Sequence, residues 1–530
     1  ILSSGNPGQH GGCVLCAGVE VPELSGLTPS QEWQLQPGLY ALSGRNKEGQ
    51  ATATQYNETK ATVTGSWRVN PQLELRGTVN PNYAEVEPDF PLLRYGQAFA
   101  PEQMEKRQFF ARSTDLFETP GLSLVNTRSI ALPKAALAAE YRSEGWRGVG
   151  LLAQDAAGGS QILPGPYGSR SRLAPASDSA LFKGHWSGAS SDAGVLLANR
   201  RYKTGEDNAV LALDGLQRFG DDYNARGLLS LSQSRVCDPL LATAQCERQD
   251  GHAARMSVRK SQSLQGYGMS YIQISPGFRS DLGWIGQSGF RRYSLDGFRR
   301  IENIGHNIAG ISFRPQLAMS EDWQGQAIGQ KANLEVEIDP ENSGLYARFN
   351  LVAHAKERLS PEGALFNSRS VEGVFIVSPG VRVSRVAFVL RLGELPDYFN
   401  ARAGQGAMAL VQMTGALTSE LGYVLTGQNY RTRARNGMEG RGASYDETSL
   451  QANLNWQYAG LSRWRYVVDR SASRGQDIAS GSPFQSRYLA HSLLWEHAPR
   501  QGLLTTAGLT RVQAGDTRSM ELLLKAAYAF

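Results

Sequence analysis

The chain has 530 residues, with 54 Lys and Arg against 49 Asp and Glu for a formal charge of +5, and it is 41% hydrophobic and 19% charged with 58 Gly. That balance excludes a disordered chain, and so small a positive charge gives no reason to expect nucleic acid as a partner. The longest apolar runs, such as "VAFVL" at 386–390, are strand-sized and fall far short of the roughly 18 residues of a spanning helix.

Residues 1–56 read as an N-terminal extension, periplasmic or folded into a barrel mouth. No basic-then-apolar leader stands at Ile1, so the chain either was not exported or has lost its signal peptide. "SSGNPGQHGG" (3–12) is a flexible tract, and 19–49 carries weak strand signals broken by turns. "CVLC" places Cys13 and Cys16 two residues apart, but Ala17 follows, so the CxxCH haem signature is not met. His10 stands beside the pair, but a zinc site would need two more ligands at suitable spacing, and Cys237 and Cys246 lie far off in the chain. A small disulfide is the plain reading of this pair.

From about residue 57 onward the dominant signal is period-two alternation. Ala332, Leu334, Val336 and Ile338 alternate with Asn333, Glu335, Glu337 and Asp339; Leu345 to Ala353 alternate with Tyr346, Arg348, Asn350, Val352 and His354. Val386 to Leu392 and Leu450 to Tyr458 repeat the pattern. The runs reach roughly 9–12 residues, the length a tilted strand needs to cross a bilayer. Aromatics gather at their ends (Trp456/Tyr458, Trp464/Tyr466, Tyr528/Phe530), as interfacial girdles require. The pattern predicts an all-β fold: a large transmembrane antiparallel β-barrel of about 22–26 strands over 57–530, in the bacterial outer membrane. A barrel of that size cannot fill its lumen with strand side chains. Water, folded-in loops, a plug or another protein must occupy it.

Within that span, "TVNPNYAEVEPDFPLLRYGQAFAPEQMEKRQFFARSTDLFETPG" (78–121) is the most specific stretch. Asn80, Pro81, Val86, Glu87 and Asp89 match an Asn-Pro-Asp-Phe…Val-Glu-Ala-Asp motif, with Asn82 and Tyr83 where Asp and Phe are usual. Glu105, Lys106, Arg107, Phe109, Phe110, Asp115 and Phe117 match Pro-Glu-Lys-Arg-Pro-Phe-Phe…Asp-Ile-Phe, with Gln108 in place of the second proline. "ISPGFRSDLGWIGQSGFRR" (274–292) matches a later segment. In these stretches the chain resembles an outer-membrane barrel family of unknown function found behind carbohydrate-binding family-9-like domains. The resemblance implies location and architecture, and leaves activity undefined. The carboxylates Glu85, Glu87, Asp89 and Glu105 fall close to Lys106 and Arg107, which suits either a structural clasp in the lumen or a constriction that selects by charge.

The CxxC pair, strand count and lumen size also give a looser similarity to the barrels of porin–cytochrome conduits. That similarity implies an alternative function, a scaffold housing a lumenal or periplasmic partner such as a multihaem cytochrome. Cys237 and Cys246 bracket "DPLLATAQ" and predict a disulfide across an exposed loop. Arginines at 348, 385, 391, 463 and 465 and in "RRY" (291–293) and "FRR" (298–300) are expected on lumen walls. The seven histidines are scattered, no HExxH or G-x-S-x-G occurs, and no catalytic or cofactor role is expected.

The last strand puts Leu522, Leu524, Ala526, Tyr528 and Phe530 on one face, with Lys525 on the other. An apolar strand ending on an aromatic is the signal read by the barrel assembly machinery, with the apolar face against outer-membrane lipid. The chain thus reads as a pore or conduit, with the partner sheath as its alternative.

Overall fold

The computed structural model describes residues 33–49, 53–81, 98–100, 102, 104–156, 159–237, 246–305, 307–340, 345–398, 400–433, 444–460, 462–476, 482–500 and 502–528. Among them, 25 stretches hydrogen-bond into one antiparallel sheet. One of these, Phe366–Asn367, is a two-residue bridge onto the end of its neighbour, so 24 strands make the wall. The sheet closes on itself: Trp33–Glu48 pairs with Thr517–Tyr528 from Gly38↔Ala527 to Glu48↔Thr517. Closure leaves no sheet edge along that seam, the condition for surviving in lipid.

The alternation is inverted relative to a soluble sheet. In the strand Ser177–Ser187, Phe182 and Trp186 are exposed while Leu181 and Lys183 are buried. In Thr517–Tyr528, Leu522, Leu524 and Tyr528 are exposed, while Leu523 and Ala527 face in and are buried. Ala526 shares the outward face and Lys525 the inward one, as the sequence predicts.

Connections differ at the two ends. At one end hairpins are tight, such as Gly145 (φ 78°) between strands that stop at Ser143 and resume at Trp146. At the other, long connections run over 80–132, 156–176, 275–289 and 358–369. At the short-turn end, aromatics face each other across strand pairs on the outer surface: Trp33↔Trp67, Trp146↔Trp186, and Trp456↔Trp464↔Trp495. This girdle marks a bilayer interface, and the short turns mark it as the periplasmic one. The protein is a bacterial outer-membrane β-barrel.

Three expectations are corrected. The barrel begins at Trp33, not at residue 57: Trp33–Glu48 and Thr54–Arg68 are both wall strands. "QPGLY" reads as a turn in sequence, yet Gly38 is there because a Cβ would sit 2.8 Å from the Ala526 carbonyl oxygen and Thr62 Oγ1. His354 lies on the outer face, because a bulge between Ala332 and Asn333 shifts the register and turns Ala355 inward. Arg291 and Arg299 share the outer face with exposed Tyr293 and Leu295, which leaves Arg292 and Arg300 on the lumen side.

Candidate functional site in the barrel lumen

Three long connections fold back inside the wall built from strands between residues 73 and 340. Phe109, Phe110, Leu116, Phe117 and Ile130 of the first pack on Ala138, Val149, Leu151, Leu181, Ala198 and Val210, the inward residues of successive strands. Phe278 and Ile285 of another join Leu122 and Leu124 against Leu196, Ala212, Leu228 and Ala253. Small inward residues on the strands are what make room: a Cβ on Gly251 would lie 2.3 Å from the Phe278 backbone.

Polar anchors decide where these segments sit. Arg107, 3% exposed, donates from Nε and Nη2 to the two oxygens of Glu105 (2.9 and 2.7 Å). Its Nη atoms also donate to the carbonyls of Ile130 (2.6 Å) and Thr127 (2.7 Å), and its guanidinium covers the Phe110 ring at 4.5 Å. Burial would raise the Glu105 carboxyl, but hydrogen bonds from Arg107 and Thr127 together with the Arg107 charge outweigh it and hold the group below its ordinary value. Each nitrogen of the Arg107 guanidinium has an acceptor, so a buried charge is tolerated.

The wall holds the inserts by the same device. Arg76 donates to the Phe109 carbonyl (2.9 Å) and to Glu140 (3.1 Å), and Ser113 also donates to Glu140 (3.0 Å). Asp155 accepts from the backbone of Ala131 and Leu132 and from Arg200 Nη2 (3.0 Å). Arg200 Nη1 reaches carbonyls of both inserts, Ser129 and Asp281, each at 3.1 Å. Asp281 is gripped by Arg279 and accepts from Gln161 (2.7 Å) and Tyr202 (2.9 Å). The inserts also join directly: Asn126 N–H donates to Leu282 and Trp284 N–H to Ser123, both at 2.7 Å. The hairpin Ser160–Leu173 adds Arg172, whose Nη2 donates to both carboxylate oxygens of Glu206 at 2.7 and 2.8 Å.

On the periplasmic side of this insert the lumen keeps a cleft of about 500 Å³. Its lining carries both signs, with Asp115, Glu118 and Asp214 beside Arg147, Lys183 and Arg218. Lys183 and Asp214 form a buried pair, and Arg218 holds Asp192 at 2.8 Å. Gly194 makes the space for that pair, since a Cβ there would lie 2.6 Å from Asp214. The arrangement offers fixed charges of both signs to a polar solute.

Of the residues singled out in sequence, Glu105 and Arg107 meet in the clasp, with Lys106 half-buried beside them. Cys237 and Cys246 are disulfide-bonded across adjacent strands. Cys13, Cys16, Glu85, Glu87, Asp89 and Phe530 lie outside the described residues. The anchors Arg76, Glu140, Asp155, Arg200 and Asp281 went unread. Only Arg76 and Glu140 carried a local signal, a charged residue at an inward strand position between small or apolar neighbours.

No family model and no curated protein matches this sequence. Solved structures of similar shape include the ferric enterobactin receptor PfeA in complex with BCV-L6, 10% identical, with a TM-score of 0.48 over 93% of this chain and 81% of that one. Another is the siderophore receptor PirA from Acinetobacter baumannii, 7% identical, with a TM-score of 0.49 over 95% of this chain and 81% of that one. These proteins share the barrel's general shape and little sequence.

Proposed function

We propose that the protein is a conduit for polar solutes across the outer membrane, narrowed by connections fixed permanently to one wall of the lumen. The observation that carries this reading is the anchoring of both inserts to the wall by Arg200 and Asp155, at full burial. A segment held by buried ion pairs is a fixed constriction, and the charged cleft beneath it gives a polar lining of the kind that selects among solutes.

Purified protein in planar bilayers tests the reading: discrete conductance steps are expected, with a preference between small anions and cations that shifts toward anions when the exposed cleft acids Asp115 and Glu118 are neutralised together. A silent barrel that co-purifies with a haem protein would replace the conduit by a partner sheath.

A further inference from the structure

The outer face of the barrel is asymmetric in charge around the closing seam. At the long-connection end, Lys47 and Arg518 face each other across the first and last strands. One step toward the bilayer, Arg45 and Arg511 stand on either side of Met520. Arg470 continues the band, next to Leu489 and Leu450. All five are exposed on the face that carries Leu509, Leu522 and Leu524, and none has a hydrogen-bond or ion-pair partner among the described residues.

The acids nearby do not neutralise them. Asp446 is engaged by Arg474 at 3.0 Å, and Glu48 and Asp516 lie at the hairpin tips beyond the band. At the short-turn end of the same strands the outward residues are Trp456, Trp464, Trp495 and Tyr528, with no charged group among the described ones. Like charges directly opposite on paired strands destabilise a sheet unless an anion lies between them. Guanidinium groups are also the preferred ligands of phosphate oxygens.

We propose that this cationic band binds the phosphate groups of outer-leaflet lipid, seating acyl chains on the leucine face directly below. The lipid is committed to by position: the band borders the apolar belt on the side away from the periplasmic girdle, where headgroups stand. The inference rests on the outer-membrane location and is independent of the conduit reading, because lipid retention is measured without any solute flux.

The test uses the full chain in nanodiscs of phosphatidylcholine doped with a bisphosphorylated lipid A or with its dephosphorylated form, and counts retained lipid by native mass spectrometry after detergent extraction. Wild type is expected to retain the phosphorylated lipid on the order of tenfold better. The variant Arg45→Gln/Lys47→Gln/Arg511→Gln/Arg518→Gln should lose that preference, and Arg511→Lys/Arg518→Lys should keep most of it. Heat-modifiable mobility on gels reports whether each variant is folded, and if the quadruple variant fails, the wild-type comparison decides alone. Equal retention of the two lipids overturns the proposal. So does displacement by millimolar inorganic phosphate, which would mark a site for a soluble anion, or an unchanged preference in a folded quadruple variant.

Discussion

Arg200 and Asp155 pair at 3.0 Å with neither side chain reaching solvent, and between them they touch both segments folded into the lumen. They sit on different wall strands, Ser191–Tyr202 and Trp146–Asp155, with Ser177–Ser187 in between. The pair therefore ties the wall to itself as well as to the insert. Removing one partner strands the other charge in a dry site, a loss of roughly 3–5 kcal/mol. Arg200→Leu is expected to lower the unfolding midpoint in denaturant and to raise single-channel conductance as the insert loosens. The double change Arg200→Leu/Asp155→Leu should recover part of the stability. Equal conductance in wild type and in a folded Arg200→Leu variant would show that the insert does not limit flow.

The clasp gives a pH dependence with a definite sign. Glu105 has an ordinary value of 4.5 and is held below it in the folded protein, chiefly by Arg107 against the opposing effect of burial. Its stabilisation is fully present above 4.5 and is lost as pH falls through the lowered folded-state value. Limited proteolysis of 104–131 should therefore be constant from neutrality to about pH 5 and rise in more acid solution. Glu105→Gln should be cut faster than wild type at neutral pH and show a flatter profile. A wild-type profile that is flat down to pH 3 would remove the clasp from the account.

The fold could be read because lipid acts on every second residue over many strands. Trp464 and Tyr466 facing out against Arg465 facing in is a local pattern, and it repeats often enough to name the architecture. The first strand was lost because Pro37–Gly38 carries a turn signal that closure overrides. His354, Arg291 and Arg299 were misplaced because a bulge, or the choice of phase in a doubled arginine, cannot be seen without the partner strand. Glu105 and Arg107 were visible as neighbours in sequence. Arg200 and Asp155 were not, since their meeting depends on the register of three strands and on two loops separated by over a hundred residues.

A hydrogen bond joins the disulfide to the lumen. Cys237 N–H donates to Glu206 (3.2 Å), which Arg172 grips, and Arg172 also donates to Gln161. Opening the short loop between Cys237 and Cys246 should cost about 2–3 kcal/mol by loop entropy. The Cys237→Ser/Cys246→Ser variant is expected to show faster amide exchange over 160–173 as well as near the loop. Exchange that rises only beside the former disulfide would mean that Glu206 holds the hairpin without help from the bridge.

Gly283 tests whether the two inserts act as one body. A Cβ there would lie 2.5 Å from the Ser123 carbonyl oxygen and 2.6 Å from that of Leu124, and both contacts are backbone that cannot swing away. The adjacent Trp284 N–H donates to Ser123, and Ser280 Oγ donates to Leu124, so any shift also opens those bonds. Gly283→Ala should then destabilise by more than the roughly 1 kcal/mol at which point substitutions centre. It should also part the segments rather than detach either from the wall, because Arg76 and Asp155 hold the first and Asn208 holds the second. Crosslinking between cysteines introduced by Ser123→Cys and Trp284→Cys is expected to fall sharply in the alanine background. Proteolysis of 104–131 should meanwhile change little. Unaltered crosslinking would mean that the backbone there yields a few tenths of an ångström at no cost, and that the inserts are seated separately.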